Sequence, residues 1–303
     1  MRSTGAIRAF APALRELVAP DANFELVATG FQFTEGPLWD PERHFLLFSD
    51  LAGDVIRRWD DRSGTTVYRQ PSGKSNGLTY DSSGRLVACE HVGRRVTRTE
   101  ADGSLAVLAS TYAGRPLNSP NDIVINKDGA IYFTDPPYGL QEYYGIARPQ
   151  DLAFQGVYRI DPGGELRLVA DDFVAPNGLG FSPSEERLYV DDTERNHLRV
   201  FDVRPDGSLA NGQVFFDFAG ATASENLPGS PDGLKLDEHG NVHCTGPGGI
   251  WVLSSDAEPL GLLAVPEVPS NLNWGGPDRS TLYITARSSV YRLRLRVAGN
   301  RTL

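Results

Sequence analysis

The stretch SPNDIVINKDGAIYFTD (residues 119–135) decides how the chain is read. It is a short apolar strand, a Lys-Asp-Gly turn, and a second apolar strand. It opens, however, on two polar residues, Asn121 and Asp122, whose burial costs desolvation unless something satisfies them. The same grammar returns elsewhere: EGPLWDPERHFLLFSD from Glu35, NGLTYDSSGRLVACE from Asn76, NGLGFSPSEERLYVDD from Asn177, DGLKLDEHGNVHCTG from Asp232 and NLNWGGPDRSTLYIT from Asn271. Each copy begins on Glu, Asn or Asp, runs into an apolar strand, turns on Asp, Ser, Gly or Pro, and returns as a second strand. Most continue into a third, such as VIRRWD, GVYRIDPGG or GIWVLSSD.

Repeats spaced roughly 40–55 residues apart lie near the length of a propeller blade. A blade cannot bury both faces alone, so neighbours must pack on each other. Six copies therefore predict an all-β, six-bladed β-propeller, in preference to a β-sandwich or two smaller barrels. FELVAT (residues 24–29) precedes the first copy and is expected to complete the last blade. The predicted domain division is an extension over residues 1–23, with a short surface helix near residues 11–18, and one propeller over 24–303. The alternating tail RLRLRVAGNR reads as an edge or outer strand.

Bulk properties narrow the function. A net charge of −10 over 303 residues argues against nucleic-acid binding, and no run is long and apolar enough for a membrane helix. The N-terminus lacks the continuous apolar core of a signal peptide, so a soluble, cytoplasmic protein is expected. The two cysteines, Cys89 and Cys244, fall in strands without a CxxC and read as buried reduced thiols.

In a propeller the first strand of each blade lines the central channel. That brings Glu35, Asn76, Asn121, Asn177, Asp232 and Asn271 towards the axis. Asn-Gly and Asp-Gly pairs are also ordinary turn formers. Turn chemistry alone does not explain one polar residue per repeat at one phase, nor a glutamate among them. Two carboxylates buried together repel and are relieved by a cation, and carboxylate plus amide oxygens suit a hard ion. The expected metal ligands are Glu35, Asn177 and Asp232. The cofactor is one divalent cation, Ca²⁺ first, with Zn²⁺, Mg²⁺ and Mn²⁺ as alternatives. Asn121 is a fourth ligand or a substrate contact, and Asn76 a further substrate contact. Asp122 is open between base, ligand and loop clasp.

These motifs, above all FTEGPLWD, SPNDIVINKDGAIYFTDP, PNGLGFSPSEERLYVDDT and SPDGLKLDEHGNVH, resemble the gluconolactonase, senescence marker protein (regucalcin) and luciferin-regenerating enzyme family, nearest its bacterial gluconolactonase branch. The resemblance covers residues from about 35 to 296. It implies a central catalytic cation held by Glu35, Asn177 and Asp232, and hydrolysis of a sugar lactone to its aldonic acid. Asp232 and Asp122 are then the candidate bases. The partner is a small sugar lactone, with the protein a monomer or dimer. Ser119 stands where animal members carry a sugar-contacting arginine, and Arg115 is the expected substitute. Rival readings are a metal-dependent esterase or organophosphate hydrolase and a non-catalytic calcium-binding propeller. The last copy lacks the channel histidine of the related phosphotriesterases. Specificity is expected in three long connections, at residues 111–120, 136–156 (with Tyr138, Tyr143 and Tyr144) and 217–231.

Overall fold

The computed structural model describes residues 5–300 and folds the repeats into six antiparallel sheets. Blade one is Thr34–Asp40, Phe45–Asp50, Val55–Asp60 and Gly64–Arg69. Blades two to five follow in chain order, each a meander whose innermost strand is one of Ser75–Tyr80, Ile123–Ile125, Pro176–Phe181 and Leu234–Leu236. Blade six combines Pro269–Gly275, Thr281–Ala286 and Ser289–Arg294 with Glu25–Thr29 from the other end of the chain. Pairing of Glu25 with Arg292 and of Thr29 with Ser289 closes the ring as FELVAT predicted.

The apolar residues separate into six clusters, each spanning two neighbouring blades. Val87, Cys89 and Val96 of blade two meet Ile123, Phe133 and Tyr158 of blade three. Leu46, Phe48 and Trp59 of blade one meet Tyr283 and Val290 of blade six. Alternating strand residues supply both faces of each sheet, so every blade is sandwiched between its neighbours and the core is distributed round the ring. Trp39 stacks on Tyr283 across the closing seam at 5.3 Å, and Ser270 Oγ donates to the Thr34 carbonyl oxygen at 2.6 Å. Both cysteines are buried and free.

Two peripheral segments differ from the sequence reading. Ala6–Ala9 pairs with Pro259–Ala264 as a fifth strand of blade five, and only Leu14–Leu17 is helical. Leu14, Leu17 and Val18 are buried in the cluster between blades five and six, so this turn is packed as well as peripheral. The sequence showed apolar residues there but no repeat to say what they cover. Residues 1–4 and 301–303 lie outside the described region. Of the tail RLRLRVAGNR, read as an edge or outer strand, only residues 292–294 are in a strand, the end of Ser289–Arg294, which is paired on both sides because Glu25–Thr29 takes the outer position.

The glycine that follows Glu35, Asn76, Asn177 and Asp232 has a cause other than turn formation. A Cβ on Gly36 would collide with the Asn76 carbonyl, one on Gly178 with the Asp232 carbonyl, and one on Gly233 with Asn271. On Gly77 it would lie 2.6 Å from the Asn121 carbonyl oxygen. The opening segments of neighbouring blades touch backbone to backbone at the axis. Gly178→Ala is therefore expected to lower stability by about 1–3 kcal/mol, since main chain cannot step aside as a rotamer can. An unchanged unfolding midpoint in denaturant would refute this packing.

Candidate active site in the channel

In blade three Asp122 occupies the position that is glycine in four of the other copies. Its side chain turns beneath the opening segments. Oδ1 accepts from the Ile123 amide at 2.8 Å, and Oδ2 accepts from Lys235 Nζ at 3.3 Å and Asn271 Nδ2 at 3.4 Å. Asp122 is 2% exposed, so the ammonium of Lys235 is its charge partner in the channel floor. Asn271 also donates to Glu35 Oε2 at 3.1 Å, tying blades one, three and six together.

Above this floor lies a cavity of about 280 Å³. Its wall includes Glu35, Asn76, Asn121, Asn177 and Asp232, each delivered by the start of a different blade. Neither Asp122 nor Asn271 reaches its lining. Glu35 Oε2 is held by the Gly36 amide at 2.8 Å and by Asn271, while Oε1 has no bond among the described residues. Asn177 Nδ2 donates to Thr193 Oγ1 at 3.0 Å, which itself donates to the Pro231 carbonyl. Asn76 Oδ1 is buried with no hydrogen-bond partner among the described residues.

Electrostatics mark the same pair that the repeat singled out. Burial raises the Glu35 carboxyl from 4.5 to about 7; the Gly36 amide bond opposes this and the nearby Asp122 charge adds to it. Burial also raises Asp232 well above the usual carboxylate range, reinforced by Glu35 and opposed by a hydrogen bond from Asn177. Two carboxyls that resist ionising side by side, with amide oxygens around them and one orphaned, are the donor chemistry a hard divalent cation satisfies. No group of three or more His, Cys, Asp or Glu side chains gathers among the described residues. The set here is two carboxylates plus amides. Glu35, Asn177 and Asp232 fit such an ion, with Asn76 and Asn121 beside them.

Arg115 is not brought to the cavity. It lies in the small hairpin Thr111–Tyr112 and Arg115–Pro116, is exposed, and donates to the Asp151 carbonyl at 2.8 Å. Of the three long connections, residues 136–156 contribute Tyr138 and Tyr144 to the wall, and 217–231 contribute Gly229, Ser230 and Pro231. Tyr143 instead donates to the Gln32 carbonyl, and Glu225 pairs with Arg8 at the surface. His91, Thr193, Glu194 and Arg287 also line the cavity. Sequence reasoning missed these four. All follow a blade's second strand, a phase that the first-strand repeat does not register.

A second cavity, of about 460 Å³, opens at the other end of the first strands. Trp39, Tyr80, Lys235 and Trp274 are among its walls, and it shares no wall residue with the first. Lys235, bonded to Asp122, lines this second cavity, whereas Asp122 and Asn271 line neither. No helix among the described residues is long and apolar enough to cross a membrane.

Comparison with known proteins gives a consistent picture. The family profile described as the SMP-30/Gluconolactonase/LRE-like region matches residues 33–288. A gluconolactonase of Zymomonas mobilis is 31% identical over 312 residues, covering 97% of this chain and 87% of its own. A pentonolactonase of Haloferax volcanii is 27% identical, covering 86% and 83%. Among solved structures, a gluconolactonase of Xanthomonas campestris superposes with a TM-score of 0.86 at 34% identity, covering 97% of this chain and 99% of that one.

Proposed function

The chain belongs to the SMP-30/gluconolactonase/LRE-like family, and from that premise we propose that its channel hydrolyses glucono-1,5-lactone or a related aldonolactone with one divalent cation as cofactor. That it is a lactone hydrolase rests on its gluconolactonase and pentonolactonase relatives. The observation that carries the finer reading is the convergence of Glu35, Asn177 and Asp232 on one small cavity. A cavity of about 280 Å³ suits one sugar ring rather than a polymer.

Glu35, Asn177 and Asp232 would hold the cation. When bound, it supplies Lewis-acid polarisation of the lactone carbonyl. The protein's own groups do the rest. Asn76 and Asn121 face the ring substituents. The Asp232 carboxylate takes one proton from the attacking water as its oxygen bonds to the carbonyl carbon. The ring C–O bond then breaks, and the former ring oxygen leaves as a hydroxyl carrying the proton that Asp232 took up, which restores the Asp232 carboxylate. Asp122 is placed for support rather than for this transfer. Both of its oxygens are already engaged, and it lies outside the cavity wall.

The test is hydrolysis of glucono-δ-lactone before chelation, after it, and after adding back single cations, with bound metal measured by elemental analysis. Activity is expected to vanish with the metal and return with it. Full turnover by demonstrably metal-free protein would sink the proposal. A parallel panel of aryl esters and phosphotriesters separates lactone from general ester hydrolysis.

A further inference from the structure

His91 lines the cavity that holds Glu35 and Asp232 and is 1% exposed, yet the chemistry above leaves it unused. Its Nδ1 lies 3.0 Å from the main-chain carbonyl oxygen of Tyr144. A carbonyl only accepts, so Nδ1 must carry the proton and Nε2 must be the bare acceptor of the neutral ring. Burial lowers the imidazole to about 4; the Tyr144 bond opposes this and the Lys74 charge adds to it. The ring is thus uncharged near neutral pH. Nε2 is buried and has no hydrogen-bond partner among the described residues. Ser119, which packs with His91 against Gly139, donates its hydroxyl to the Pro136 carbonyl at 2.5 Å.

An unfilled buried acceptor at a cavity wall is a place for a ligand's donor. The ester of a lactone offers only acceptors. Donors on a sugar lactone are its hydroxyl groups, and a bare lactone ring has none. We infer that His91 Nε2 accepts a hydroxyl hydrogen of the bound lactone, so that His91 selects polyhydroxylated lactones over unsubstituted ones. This rests on the lactonase reading above. The residue has two separable duties: Nδ1 ties the Tyr138–Tyr144 connection to blade two, and Nε2 reads the substrate.

The test separates them. His91→Asn places an amide nitrogen near the Nδ1 position, which keeps a donor for Tyr144 and removes the Nε2 acceptor. On glucono-δ-lactone its kcat/KM is expected to fall about 10–100-fold, chiefly through KM. On δ-valerolactone, which has the ring ester and no hydroxyl, the fall should stay within about threefold, because no bond to Nε2 exists to be lost. Equal losses on both lactones, or no loss on either, overturn the inference. In the wild-type protein the ¹⁵N resonance of His91 Nε2 should report an unprotonated nitrogen and move upfield on adding glucono-δ-lactam, which is not hydrolysed as the ester is. A lactam that binds without moving that resonance also overturns it. Wild-type protein that neither binds the lactam nor hydrolyses either lactone refutes the lactonase reading itself.

Discussion

Replacing Asp232 by asparagine is expected to lower kcat/KM on glucono-δ-lactone by at least about 10³-fold, from combined loss of the proton acceptor and of electrostatic stabilisation. Asn keeps the shape, and the Asp232 amide bond to Thr245 Oγ1 at 2.9 Å does not depend on the side chain, so the fold should survive. Glu35→Gln removes the other carboxylate and spares Asp232. The two variants should differ in kind. Glu35→Gln should weaken cation binding and recover part of its activity at saturating cation. Asp232→Asn should lose affinity as well, yet stay slow even when the cation is supplied in excess. Calorimetric titration of metal-free protein, run beside the kinetics, reads the two effects apart. Wild-type cation affinity in both variants would remove Glu35 and Asp232 from the site.

The second large effect is on stability, and its sign follows from the same pair. Both carboxyls are raised above their unfolded values in the cation-free protein, Glu35 from 4.5 to about 7 and Asp232 in the same direction. A carboxyl with a raised folded pKa contributes stability while protonated and loses it as pH climbs through the folded value. Cation-free protein should therefore weaken between about pH 4.5 and 7, by about 3 kcal/mol from Glu35 alone, and remain weaker above. A bound cation takes over the proton's role, so its stabilisation should grow over that window, with protons released on binding. Asp135, which burial also pushes to about 7, adds the same trend with or without cation. The difference between the two melting curves across pH isolates Glu35 and Asp232. A gap that stays constant or narrows as pH rises would contradict the coupling.

Much of this was legible because the molecule repeats. Six recurrences of an acid or amide before an apolar strand announced both the ring and its axis, since a shared phase brings the start of each blade to the channel, although Asn271 ends in the floor and not in the cavity wall. Glu35, Asn76, Asn121, Asn177 and Asp232 all arrive at one cavity for that reason. What escaped the reading lacks a repeat. Arg115 looked well placed from its nearness to Asn121 in the chain, but its hairpin turns outward and finds Asp151. His91 gave no motif, because its significance lies in one bond to Tyr144, a residue 53 positions away. Lys235 sat unremarked within the strand LKL, and only closure of the ring sets its ammonium against Asp122. In the sequence the glycines beside the channel residues look no different from turn formers, whereas their missing side chains are what allow adjacent blades to meet.

The floor built from Asp122, Lys235 and Asn271 has a consequence for traffic. A propeller axis open from end to end would let substrate arrive on one side while product departed from the other. Here the cavities at the two ends share no wall residue, and the buried Asp122 and Asn271 side chains line neither of them, so substrate and product are expected to use the same cavity. Arrival and departure must then take turns. Hydrolysis of a lactone leaves a hydroxy acid, ionised at neutral pH, in that cavity, and the next lactone waits until it has gone. Product inhibition of the competitive kind is thus set by the architecture of the chamber, whatever ring it accepts.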